Sequence, residues 1–209
     1  MLRTAVLILF LLSVARHGCP QSYNAIYSFG DSISDTGNLC TGSGGCPSWL
    51  TTGQPPYGNT HFGRPTGRCT DGRVVVDFLA EHFGLPLLPP SKASGGDLKK
   101  GANMAIIGAT AMDFEFFKSH GLGNSIWNNG PLGIWNFGLK YGLRVCCGAG
   151  GQGSYNYNNR ARCGMAGATA CGDPEKHLVW DGIHLTDAAY RAVAGGWLNG
   201  TYCSPGILH

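Results

Sequence analysis

Nine cysteines follow an apolar N-terminal run, and together they constrain this chain more than any other feature. Arg3 supplies a positive start, and Ala5 to Ala15 is an apolar stretch of the length a secretory signal uses. Ser13-Val14-Ala15 fits the small-x-small cleavage rule, so cleavage is expected between Ala15 and Gln21, and residues 1–20 are read as a signal peptide. The run is too short to span a bilayer, and no later segment approaches roughly 18 apolar residues. An exported, membrane-free, extracellular chain is therefore expected. In that compartment cysteines are mostly disulfides. Processing that removes Cys19 leaves Cys40, Cys46, Cys69, Cys146, Cys147, Cys163, Cys171 and Cys203, an even set with many connectivities open. Cys40 and Cys46 are placed to close a small loop, and the adjacent Cys146 and Cys147 are expected to take different partners. Without a C-x-x-C pair or an H-E-x-x-H helix, no zinc or other metal is expected.

The 209 residues suit one domain, which could bury about 70% of its unfolded surface. Residues 21–209 show no internal repeat or linker and are read as that single domain. Glycine contributes 34 residues without the three-residue period of collagen, so it signals tight turns and close backbone approaches. A hydrophobic share of 43% with a net charge of only +3 argues against disorder and against a nucleic-acid partner. Ala25-Ile26-Tyr27-Ser28-Phe29 reads as a strand. Residues 37–73, rich in Gly, Pro, Thr and Cys, read as a long loop. A helix follows, with Thr70 or Asp71 as its cap, Val75, Leu79 and Phe83 on one face, and Gly84 at its end. Residues 102–108 look like a buried strand ending at a glycine. The clearest helix is the last: Thr186 caps it, Asp187 suits its positive start, Tyr190, Val193, Ala194 and Trp197 face the core, and Gly200 ends it. Asn199-Gly200-Thr201 is a glycosylation sequon. Residues 121–165 carry too little periodicity to assign.

Gly30-Asp31-Ser32 lies where a strand meets a glycine-containing loop, a good position for a nucleophile. A serine hydroxyl needs a base, and histidine titrates in the useful range. The base needs a carboxylate to set its tautomer and stabilise the imidazolium. Asp181 and His184, three residues apart before the last helix, can form that pair. An Asp-Gly turn beside a surface histidine is the plain alternative.

The run Phe29-Gly30-Asp31-Ser32-Ile33-Ser34-Asp35-Thr36-Gly37-Asn38 closely resembles the first block of plant GDSL esterase/lipases, within the SGNH hydrolases. Gly63 to Arg68 with Asp71-Gly72-Arg73, Asn103 to Ala111, Cys146 to Asn158, and Trp180 to Thr186 resemble later blocks in order. The resemblance implies a flavodoxin-like three-layer α/β/α fold and carboxylic ester hydrolysis without a cofactor. It makes Ser32 the acylated nucleophile, His184 the general base and then acid, and Asp181 its orienting carboxylate. It makes the N–H groups of Ser32 and Gly108 oxyanion donors. The implied partner is a small-molecule, lipid or glycan acyl ester.

The family's Gly-x-Asn-Asp block, whose asparagine gives the third oxyanion donor, has no counterpart here, and the chain contains no Asn-Asp pair. The middle of the resemblance stops near Ser125 to Gly133 and resumes near Asn136-Phe137-Gly138. A central segment is therefore expected to be absent near residues 133–136, leaving the α/β fold incomplete. Asn124, Asn128 and Asn129 are possible local substitutes. The alternative to an active esterase is a truncated, inactive exported protein, retained as a binding remnant or without activity.

Gly148-Ala149-Gly150-Gly151-Gln152-Gly153 fits G-x-G-x-x-G but lacks a following helix start, so a turn-rich loop is expected instead of a dinucleotide site. No G-x-S-x-G elbow is present. Tyr155, Tyr157 and Trp180 are read as pocket or packing residues. His61, His82, His120 and His177 are read as solvated or structural.

Overall fold

A computed structural model describes residues 23–109, 141–149, 158 and 160–208. The expected leader with Cys19, the expected junction at 133–136, the asparagines 124, 128 and 129, His120, Tyr155 and Tyr157 lie outside the described residues.

The chain is α/β. Strand β1 (Ile26–Ser28) pairs in parallel with β2 (Gly101–Asn103), and helix α1 (Val75–His82) lies in the connection between them. Such a crossover is what a parallel pair requires. β1 and β2 approach closely at Gly101, where φ is +134° and a side chain would collide with the Ile26 carbonyl oxygen. Strand β3 (Tyr141–Val145) pairs in parallel with β6 (His177–Val179). The short β4 (Cys147–Gly148) and β5 (Thr169–Ala170) pair antiparallel. The final helix is α2 (Asp187–Asn199). The sheet elements are thus separate two-stranded pairs among the described residues, a smaller framework than a complete three-layer sheet.

The helices join these pairs. Val75, Val76 and Phe78 of α1 pack on Tyr190 and Ala194 of α2. Ala80, Leu85 and Leu88 pack with Ile26 of β1, while Ala189 of α2 meets Val145, Leu178 and Val179. Each fully buried aliphatic side chain adds about 1.5–3 kcal/mol.

Local signals place α2 as expected. Thr186 Oγ1 accepts the Ala189 N–H at 3.2 Å, and Gly200 ends the helix with φ +82°. For α1 the expected cap is wrong. Neither Thr70 nor Asp71 caps it: Val74 holds the N-cap position, and the Asp77 carboxylate reaches back to the Val74 N–H at 3.0 Å. Asp71 instead accepts the Asp187 N–H at 2.8 Å, which draws the loop before α1 against the start of α2. The strand expected over 102–108 is regular only as far as Asn103, although backbone hydrogen bonds to the β1 side continue, from Met104 N–H to the Ser28 carbonyl at 2.7 Å and from Ile106 N–H to the Gly30 carbonyl at 3.1 Å.

Among the described residues the disulfides are Cys40–Cys46, Cys146–Cys171 and Cys147–Cys163. The small loop closes, and the adjacent cysteines do take different partners. Most of the eight are thus paired, and Cys69 and Cys203 are free thiols. Cys69 is buried against His184, and Cys203 donates to the Trp197 carbonyl at 3.2 Å. Among the described residues, no helix is long and apolar enough to cross a membrane.

Candidate active site

The chain leaves β1 through Phe29 and Gly30 and turns sharply. The Asp31 carbonyl accepts from the Ser34 and Asp35 N–H groups at 3.1 and 3.0 Å, and Asp31 Oδ1 accepts from Ile33 N–H at 3.0 Å. Ser32 sits in this turn and is buried. The turn is tied to the end of β2. Asp35 Oδ1 accepts the N–H groups of Gly37 and Asn38, both at 2.8 Å, and Oδ2 accepts the Ile107 N–H at 2.9 Å. Asn38 Nδ2 donates to the Asn103 and Ala105 carbonyls, both at 2.8 Å, and Asn103 Nδ2 returns to Ser34 O at 2.6 Å. Asp35, Asn38 and Asn103 are fully buried, so the network stabilises only because its polar groups are so well paired. It delivers Gly108, with φ +80°, one residue beyond Ile107.

The second part comes from the loop between β6 and α2. Trp180 N–H donates to the His184 carbonyl at 2.8 Å, which folds the loop back on itself. Asp181 Oδ1 accepts the N–H groups of Ile183 and His184 at 3.0 and 2.9 Å. Asp181 Oδ2 pairs with His184 Nδ1 at 2.8 Å and accepts the Tyr57 hydroxyl proton at 2.7 Å. Four donors therefore surround one buried carboxylate. The three-residue spacing does place Asp181 against Nδ1. The surface-histidine alternative is overturned, since both side chains are buried.

Electrostatics follow the geometry. Burial would raise the Asp181 pKa, but the His184 charge and the hydrogen bonds outweigh it, taking the group from 3.8 to about 2. Burial would lower that of His184, but the Asp181 carboxylate outweighs it and holds the imidazole well above 6.5. Burial, then the Asp181 charge, pushes Tyr57 well above 10, so its hydroxyl remains a donor. Burial also pushes the Cys69 thiol up, and Cys69 lies beside His184.

His184 Nε2 is buried without a hydrogen-bond partner, so no hydrogen bond joins it to Ser32. Asn199 is at the far end of α2, exposed, with its Oδ1 accepting from Thr201 N–H at 2.9 Å and Oγ1–H at 2.7 Å.

Trp180 is a packing residue, 2% exposed. His177 is buried near the Asp173 carbonyl, and His61 lies 4.0 Å from Glu81. Among the described residues, Cys146, Cys171 and His177 bring potential metal-ligand atoms within 4.8 Å of one another. The two sulfurs are joined in a disulfide, so the cluster lacks the thiolates that a zinc site uses.

Tyr57, Asp35 and Cys69 were not singled out by sequence. Asp35 stands three residues beyond Ser32 in the first block, a signal that was available. Tyr57 has none, since it lies 124 residues from Asp181 within a Pro- and Gly-rich loop.

Residues 26–140 match the GDSL-like Lipase/Acylhydrolase family. The chain is similar to the GDSL esterase/lipase At5g45910 of Arabidopsis thaliana, 27% identical with 88% of this chain and 92% of that protein covered. It is similar to GDSL esterase/lipase At1g28600 of the same plant, at 26% identity over 90% of this chain and 86% of that one. Acetylajmalan esterase 1 of Rauvolfia serpentina is 41% identical over 117 residues, 56% of this chain and 31% of its own length. The At5g45910 alignment runs over 346 positions against 209 residues here, so at least 137 positions of that relative have no counterpart. No solved structure matches.

Proposed function

Because the chain belongs to the GDSL-like lipase/acylhydrolase family, we propose that it is an exported carboxylic ester hydrolase that works through an acyl-enzyme on Ser32. The observation that carries this reading is the buried Asp181–His184 pair. Its Nδ1 is committed to the carboxylate at 2.8 Å while its Nε2 is left unpartnered.

In the proposed reaction, Ser32 Oγ attacks the ester carbonyl carbon as His184 Nε2 takes the hydroxyl proton. The carbonyl π electrons move to oxygen, where the N–H groups of Ser32 and Gly108 receive the negative charge. Collapse expels the alcohol, which takes the proton from His184, and leaves Ser32 acylated. Water then attacks the acyl carbon, again losing a proton to His184, and the carboxylic acid leaves as Ser32 regains its hydrogen. These steps need acyl transfer and proton transfer only. The absent Gly-x-Asn-Asp block removes one oxyanion donor, which on its own costs on the order of 100–1000-fold in rate. The substrate class is an acyl ester of a small molecule, lipid or glycan.

The proposed organisation is a signal peptide over 1–20 and one domain over 21–209, joined near 133–136 where the relatives continue. Asn199 is the proposed glycan site, supported by its exposure. Loss of one glycan from secreted Asn199→Gln, read by mass, tests that assignment.

The second reading is an inactive remnant. It draws support from the 137 or more missing positions and from the absence of a Ser32–His184 hydrogen bond. A fluorophosphonate probe on purified protein separates the two. Labelling that disappears in Ser32→Ala, with turnover of a short 4-nitrophenyl ester, supports the esterase. A folded wild type that neither labels nor hydrolyses supports the remnant.

A further inference from the structure

Asp181 is held from two directions. Its Oδ1 is occupied by the backbone of its own loop, through Ile183 and His184 N–H. Its Oδ2 faces His184 Nδ1 at 2.8 Å and Tyr57 at 2.7 Å. The local contacts would form in any loop of this shape. The Tyr57 contact depends on a separate part of the fold.

That part is rigidly built. Tyr57 is buried and follows the 3-10 turn Thr51–Gly53, with its N–H donating to the Gln54 carbonyl at 3.2 Å. Its ring meets Trp180 edge-on, with centroids 6.0 Å apart and planes at 79°. The Cys146–Cys171 and Cys147–Cys163 bridges share the same cluster. Cys146 and Cys147 N–H groups donate to the Val179 and Trp180 carbonyls at 3.1 and 2.7 Å, directly before Asp181. The disulfides therefore fix both the backbone leading to Asp181 and the ring that reaches it.

We propose that Tyr57 is a positioning residue for the Asp181–His184 pair. Its hydroxyl holds Oδ2 toward His184 Nδ1 and takes up part of the carboxylate charge, which limits how strongly Asp181 favours the imidazolium. The proposal rests on the reading of His184 as the base. The groups facing His184 are Asp181 and the neutral Cys69 thiol, and Tyr57 acts through Asp181.

The test uses the disulfide-bonded protein with Tyr57→Phe, which keeps the ring, and Tyr190→Phe as a comparison. Tyr190 also carries a buried hydroxyl but makes no hydrogen bond to Asp181. The first readout is the pH midpoint of the low-field His184 Nδ1–H proton resonance, assigned by its loss in His184→Asn. A hydrogen bond to a charged group is worth roughly tenfold in an equilibrium constant, so the midpoint should rise by about one pH unit in Tyr57→Phe. It should stay in place in Tyr190→Phe. The second readout is ester hydrolysis, where Tyr57→Phe should lower kcat about tenfold with KM within about twofold. Site-specific 3-fluorotyrosine at position 57, a stronger donor of nearly the same shape, should move the midpoint down. It also decides the matter if Tyr57→Phe fails to fold. A folded Tyr57→Phe with an unmoved midpoint overturns the proposal, as does an equal shift in Tyr190→Phe. If wild type hydrolyses no ester, the esterase reading falls while the resonance still decides the role of Tyr57.

Discussion

Asp35 Oδ2 accepts the Ile107 N–H at 2.9 Å, a contact that helps connect the turn that carries Ser32 to the segment that presents Gly108. The other oxygen of the same carboxylate orders the turn itself through Gly37 and Asn38. The proposed nucleophile and the proposed oxyanion donor thus both lean on this buried side chain, alongside Asn38 and Asn103.

Asp35→Asn should disturb both. An amide offers one acceptor oxygen where the carboxylate offers two, so a buried N–H is left facing a donor. The expected cost is about 1–3 kcal/mol in chemical unfolding. With the oxyanion donors displaced, kcat for a short 4-nitrophenyl ester should fall by on the order of 10–100-fold, with KM little changed. Unaltered stability and kcat would remove Asp35 from this role.

Arg68 and Asp77 form a buried two-pronged ion pair, with both hydrogen bonds at 2.8 Å, and Arg68 also reaches the Thr36 carbonyl. Removing one partner strands the other charge. Arg68→Met should therefore lower unfolding free energy by about 3–5 kcal/mol, measured by urea titration. Arg68→Met with Asp77→Leu should recover much of it.

Protonation of the Asp181–His184 pair makes two predictions of opposite sign. Folding lowers the Asp181 pKa from 3.8 to about 2, so its stabilising contribution is complete above 3.8 and disappears as pH falls through about 2. Folding raises that of His184, so its contribution is complete below 6.5 and disappears as pH rises through its higher folded value. Wild type minus Asp181→Asn, compared as Tm against pH, should narrow at both ends. Because the base must be neutral, the acid limb of kcat/KM should lie above 6.5.

The three disulfides among the described residues close loops of different length, with separations of 6, 16 and 25 residues. Chain entropy alone ranks their contributions near about 2, 3 and 3.5 kcal/mol. Cys171→Ser should accordingly destabilise more than Cys46→Ser in thermal unfolding. Because Cys146–Cys171 packs on the Tyr57–Trp180 cluster, it should also lower kcat. Equal losses from the two variants would show that the loop-length account fails here.

What was legible in the sequence was local. The Ser32 block, the Asp181–His184 spacing, the Thr186 cap and the Gly200 stop each depend on residues within a few positions. At that range backbone geometry links identity to conformation. The different partners of Cys146 and Cys147 were legible for the same reason, since adjacent cysteines rarely bond to one another. The tertiary structure alone decided the contacts across long separations. Val74, its N–H held by Asp77, took the N-cap position of α1 in place of Thr70 or Asp71, and Asp71 was drawn to α2. Cys69 is a free thiol that folding placed beside His184. Tyr57 met Asp181 because two disulfides and Trp180 close the space between them. Periodicity carries no record of such meetings, since they depend on how packed elements share one buried volume.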